Sequence, residues 1–98
     1  MRDLADLTAV DFEAVAGSEF EVIGPGADPV GIRLVGVKLL GERPGHRQPF
    51  SLRFRGPSTP VLPQATYRMR HGELGELGAF ITPIAADADG ATYEAVFS

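Results

Sequence analysis

The second half of the chain alternates apolar and polar residues with a period of two. Phe50, Leu52 and Phe54 share one phase, and Ser51, Arg53 and Arg55 take the other. Tyr67, Met69 and His71 repeat the arrangement, with Thr66, Arg68 and Arg70 in the opposite phase. Successive strand residues face opposite sides of a sheet, so the pattern predicts strands over 50–55 and 65–71, each with one buried and one wet face. Phe20 and Val22 alternate with Glu19 and Glu21 and predict a strand from Ser18. Residues 30–40 form a longer apolar stretch. Ile32 and Leu34 lead its phase, then Val35, Val37 and Leu39 take over. A one-residue phase change predicts a β-bulge, most naturally at Gly36. Residues 77–84 and 91–97 complete the set. Pro83 predicts an edge or a bulge in the fifth strand, and Asp87-Ala88-Asp89-Gly90 has the composition of a hairpin turn.

Ahead of the strands, Thr8-Ala9-Val10-Asp11 resembles a helix start. Thr8 is the cap, Asp11 the short-armed partner of a capping box, and Gly17 a natural stop. Val10 and Ala14, with Phe12 and Val15, are the expected apolar face. The helix is about two turns, too short to persist without tertiary packing, and should lie across one end or face of the sheet. Loops begin at Gly24-Pro25-Gly26 and span residues 41–49. The segment 58–64, with Pro60 and Pro63, reads as extended and ordered against the body.

The expected fold is therefore mainly β: a six-stranded antiparallel sandwich or small barrel with one short N-terminal helix. All 98 residues are assigned to a single β-rich domain, 1–98, with helix in 8–17 and sheet in 18–98. Phe20, Phe50, Phe54, Tyr67, Tyr93 and Phe97 are its expected core. The last strand is either tucked into the sheet or available to pair with another chain.

An apolar fraction of 44% suits a folded chain, and there are no cysteines, which excludes disulfides, a thiolate nucleophile and Cys-ligated zinc. The net charge of −4 conceals a segregation. Residues 1–28 carry seven acids and one arginine, 29–71 one acid and eight basic residues, and 72–98 five acids and no base. Basic and acidic strands then either pair across one sheet, or a basic face of one subunit meets an acidic face of the next. An acidic total without a reading motif argues against nucleic acid. Asp3 and Asp6 interrupt the N-terminus, no apolar signal core follows, and no run approaches the ~20 residues of a membrane helix. Synthesis in the cytoplasm is expected, with no membrane partner; export by a signal-independent route, or release by lysis, stays open.

Candidate chemistry is sparse. His46 lies in a Gly/Pro loop beside Arg43 and Arg47, and His71 ends a strand in core phase. A general base needs an orienting carboxylate and a nucleophile; Glu73 is near His71, but Ser51, Ser58 and Thr66 stand in no nucleophile motif. Asp87-x-Asp89-Gly90 resembles the start of a calcium loop, yet Glu94 comes too early to complete one, and Asp and Gly are what a turn uses. Gly24-Pro25-Gly26 lacks the lysine and helix of a phosphate loop. No catalytic residue, metal ligand or cofactor is assigned. The candidate interface or anion-binding residues are Arg53, Arg55, Arg68 and Arg70, with Glu94 as the acid expected among them and Glu21 after it.

Four segments together resemble a bacterial domain family of unknown function: Phe50-Ser51-Leu52-Arg53-Phe54-Arg55-Gly56-Pro57; Leu62-Pro63-Gln64-Ala65-Thr66-Tyr67-Arg68; Gly75-Glu76-Leu77 with Phe80 and Pro83; and Tyr93-Glu94-Ala95-Val96-Phe97. Phe12 to Phe20 follows its F-E-x-x-x-G-x-x-F stretch more loosely, and Gly78 and Ala79 stand where bulkier residues are usual. The family assigns no catalytic residues. The resemblance implies, through gene neighbourhood, a link to phage-tail-collar-like proteins.

The expected function is a non-enzymatic structural or assembly module, forming a homo-oligomer or docking on a phage-tail-like or filamentous partner through strand edges and charged faces. The alternative is a small module binding an anionic ligand or acidic peptide on the arginine-lined face.

Overall fold

Alternation decides which face of each strand is buried; the pairing of both edges of every strand decides the architecture. The computed structural model describes residues 7–23, 28–41, 45 and 48–97. Its elements are α1 (Ala9–Glu13), β1 (Glu19–Ile23), β2 (Val30–Leu39), β3 (Phe50–Gly56), β4 (Ala65–His71), β5 (Gly75–Asp87) and β6 (Gly90–Phe97). The strands form a closed antiparallel barrel in the order β1-β2-β3-β6-β5-β4. Of the two expected architectures, the barrel is the one observed.

Two three-stranded meanders meet along the β3–β6 seam, and β1 closes the ring against β4 through Glu21↔Arg70, Val22↔Met69 and Ile23↔Arg68. Closure follows from local twist. Register shifts fall between Leu34 and Gly36 in β2 and between Pro83 and Ala85 in β5, where the sequence placed its bulges, and bulges sharpen a sheet's right-handed twist. β5 is long because it serves two neighbours in turn. Residues 75–81 pair with β4, and 82–87 pair with β6. β6, the closing strand, is tucked between β3 and β5.

The interior is filled by the expected phase. Phe20, Ile32, Leu34, Phe50, Leu52, Phe54, Met69, Leu77, Ile81 and Tyr93 have no exposed surface. Ala79 faces inward directly across from Tyr67; the bulk of the tyrosine explains the small residue there. Apolar inside and charged outside, the wall has the reverse polarity of a lipid-facing barrel.

Both mouths are covered. At one, the Phe12 ring lies 6.4, 5.8 and 5.4 Å from those of Phe20, Phe50 and Phe97. At the other, the 57–64 connection crosses from β3 to β4, and the Tyr93 hydroxyl accepts a hydrogen bond from the Leu62 N–H at 2.8 Å. The Tyr67 hydroxyl donates to the Pro63 carbonyl.

The helix departs from expectation in two ways. It spans five residues, followed by a turn to Gly17, whose φ of +87° stops it. Its buried residues are Ala9 and Phe12, with Val15 beyond, whereas Val10 is 70% exposed and Ala14 is outside too. A helix this short seats on the barrel mouth by its one large ring, and the i, i+3 pair Ala9 and Phe12 defines the inward side. Asp11 performs the expected cap, accepting from the Thr8 N–H at 2.8 Å.

Candidate interaction surface

Arg53 and Arg55 project outward from β3, and Arg68 and Arg70 from β4. Two strands separate β3 from β4 in either direction round the barrel, so the four guanidinium groups form two separate belts and no single stripe. Each belt is neutralised by its own neighbours. Arg53 faces its register partner Glu94 at 3.9 Å, and Arg70 faces Glu21 at 3.2 Å. Arg55 reaches Asp87 at 3.0 Å and Arg68 reaches Glu76 at 3.7 Å. Glu94 and Glu21 thus each serve one arginine. Asp87 and Glu76 are not among the acids the sequence suggests as arginine partners, because their strand adds neighbours that the linear sequence does not specify. Much of the charge segregation along the chain is spent in these cross-strand pairs. Exposed pairs of this kind contribute ~0–1 kcal/mol each.

The Asp87 segment is a turn. Asp87 Oδ1 accepts from the N–H groups of Asp89 and Gly90 at 2.9 and 3.0 Å and from Arg55 at 3.0 Å. Gly90 has a φ of +157°, and a Cβ there would lie 2.5 Å from the Gly56 carbonyl oxygen. The Asp89 N–H, foremost, holds the Asp87 carboxyl below the usual aspartate range; desolvation, next in size, opposes it, and Arg55 and the Gly90 N–H add to the lowering. A folded-state pKa below the unfolded one gives stability that is full above the unfolded value, ~3.9, and is lost as pH falls through the folded value. Thermal melts should therefore show a gap between wild type and Asp87→Asn near neutrality that narrows as pH drops below about 4. A gap unchanged down to the acid limit would show that the ionised carboxylate does not hold the turn.

The outer wall also carries apolar residues. Beyond the Thr82↔Glu94 pair, the next outward residues on β5 and β6 are Phe80 and Val96, 51% and 59% exposed. Thr66 is the register partner of Phe80 on β4, and Ser51 that of Val96 on β3. Two large apolar side chains thus stand on one side of the barrel with small hydroxyl residues beside them. The Arg53–Glu94 and Arg68–Glu76 pairs lie on the strands that carry this patch and flank it. Alternation in β5 and β6 marks these positions as outward, but only the pairing places them on adjoining strands.

His71 has a definite partner, Ser18, 53 residues away, which the sequence analysis missed. Ser18 Oγ lies 2.7 Å from His71 Nε2, and the imidazole packs against Phe20 with ring centroids 4.4 Å apart and planes tilted by 38°. The pair resembles a nucleophile and its base, but the hydrogen bonds assign other roles. Nδ1 accepts the N–H groups of Glu73 and Leu74 at 3.0 and 3.2 Å, so the neutral ring carries its proton on Nε2. Nε2 then donates to Ser18, whose hydroxyl donates on to the Val15 carbonyl. The ring cannot take the serine proton in this tautomer; it ties the β4–β5 turn to the segment after α1. Glu73 contributes its backbone N–H to this link. Ser51 is buried in the wall, and Ser58 and Thr66 are exposed. His46, Arg43 and Arg47 lie outside the described residues, as do Gly24, Pro25 and Gly26. Among the described residues no group of three or more His, Asp or Glu is placed to hold a metal ion, and no helix is long and apolar enough to cross a membrane.

Compared with known proteins, the chain matches one family model over residues 7–97, described as a domain of unknown function (DUF6916). No curated protein and no solved structure matches.

Proposed function

We propose, for a chain that belongs to the DUF6916 family of domains of unknown function, a non-enzymatic role as an assembly module. It presents its β5–β6 wall to a second copy of itself or to a tail-like or filamentous partner. The observation that carries this reading is the exposure of Phe80 and Val96 on adjoining strands. Exposed apolar side chains grouped within a polar rim are the usual mark of a contact surface. Barrel closure removes free strand edges, so docking proceeds through the wall face and not by strand addition. Local neutralisation of the arginines makes them a rim that steers and orients, not a bulk electrostatic surface. The tautomer of His71 supports the non-enzymatic reading, because the one serine–histidine contact among the described residues is committed to holding backbone.

Light scattering after size exclusion tests the proposal. The wild type should exceed 10.4 kDa at high concentration. Phe80→Glu should return it to the monomer with an unchanged circular dichroism spectrum. Arg53→Glu and Arg68→Glu should shift association partway, and added salt should weaken it through screening of the rim. A wild type that stays monomeric at every concentration removes self-association and leaves the heterologous partner. Oligomers that persist in Phe80→Glu would remove this wall as the interface.

A further inference from the structure

Five arginines are described, and four of them reach an acid. Arg33, on β2, does not, among the described residues. Its register partner on β3 is Arg55, and on β1 it is Glu19. Glu19 forms no ion pair with it, and Arg55 is engaged elsewhere. The Arg55 guanidinium extends across β6 to Thr92 Oγ1 at 2.8 Å and Asp87 Oδ1 at 3.0 Å. The Glu19 carboxylate lies over Gly31, where an added Cβ would come within 2.5 Å of Oε1. Between these groups is a cleft of about 310 Å³, walled also by Val35 and Pro57.

Like charges directly across an antiparallel pair are destabilising. Asp87 meets the Arg55 charge, whereas no described acid forms an ion pair with Arg33. A local rule broken without compensation in an otherwise consistent surface is where function is sought. We infer that the cleft is a binding site for a compact oxyanion, a carboxylate or phosphoryl group, with Arg33 as its ligand and Arg55, held by Asp87, bounding it on the β3 side. The planar guanidinium fork donates two N–H groups to two oxygens of such a group at once. An anion on Arg33 supplies the charge partner that the described residues do not. Glu19 bounds the cleft on the β1 side and places the anion toward β3. The site is separate from the Phe80 wall and does not depend on the assembly reading. It also differs from the arginine set that the sequence suggested: Arg33 was not among those residues, and Arg68 and Arg70 are on the far side of the barrel.

The test uses the full chain and follows the arginine Nε–Hε signals by ¹H–¹⁵N NMR at constant ionic strength. The probes are inorganic phosphate, acetate and a hexaglutamate peptide. Arg33 should shift saturably with at least one of them. Arg33→Gln should weaken the response about tenfold or more, as loss of a charge-assisted bidentate contact implies. Glu19→Gln should strengthen it, and Arg68→Gln should leave it unchanged. Without anion, Arg33→Gln should melt at or above the wild type, because the opposed charges are gone. Saturation at lower concentration by the peptide identifies a partner's carboxylates as the source, and by phosphate a free phosphoryl group. Shifts that are linear and equal in wild type and Arg33→Gln would reflect ionic atmosphere alone and overturn the site. An Arg33→Gln chain that melts below the wild type in anion-free buffer would overturn its premise.

Discussion

Replacing Phe12 with alanine is expected to lower stability by about 3–5 kcal/mol, the range for deleting a fully buried aromatic ring. The ring has no exposed surface and contacts three others, Phe20, Phe50 and Phe97, drawn from the first, third and last strands. α1, with five residues, has little stability of its own, so it cannot hold the mouth closed once its anchor is gone. Domains of this size have the lower part of the usual ~5–15 kcal/mol to lose, and the variant should be largely unfolded at room temperature. Urea denaturation measures the difference. Val10→Ala, two residues away on the outer side of the same helix, is the control and should stay within about 0.5 kcal/mol of wild type. Equal losses in the two variants would show that the ring does not close the barrel.

His71→Phe is expected to cost about 2–4 kcal/mol, although it keeps an aromatic ring against Phe20. The cost arises from hydrogen bonds. The N–H groups of Glu73 and Leu74 lose their acceptor, and Ser18 loses its donor. Buried donors left unsatisfied cost about 1–3 kcal/mol each. Exchange of the Leu74 amide should accelerate in the variant, and the segment between α1 and β1 should loosen with it. An independent check is the tautomer. The ¹⁵N shifts of the His71 ring in the wild type should show an unprotonated Nδ1 and a protonated Nε2. A protonated Nδ1 would contradict the backbone role and reopen the question of a base for Ser18.

The strands and their inward faces were legible in the chain because a strand's side chains alternate whatever it pairs with. Phe50, Leu52 and Phe54 are buried, and Arg53 is exposed, as their phase required. The shift after Leu34 and the proline at position 83 both mark bulges, because a change of phase or a missing N–H interrupts a ladder locally. The Asp87 turn was readable for the same reason: its hydrogen bonds span two and three residues. Of the expected inner face of α1, Phe12 and Val15 are buried but Val10 and Ala14 are outside, since a five-residue helix has too few positions to define a stripe, and its tilt on the barrel mouth is set by Phe12.

The sequence by itself determined the strands, their buried faces, the bulges and the hairpin turn, all of which depend on sterics and hydrogen bonds within a few residues. Only the tertiary structure decided which strands are neighbours. The crossover after β3 places β4 on the far side of the barrel, so Arg53 and Arg55 are parted from Arg68 and Arg70. The same closure sets Arg33 opposite Arg55, Phe80 beside the strand of Val96, and His71 against Ser18. A period of two specifies the side of the sheet a residue faces but carries no information about the adjoining strand; that is settled by twist, loop path and the packing of one shared core.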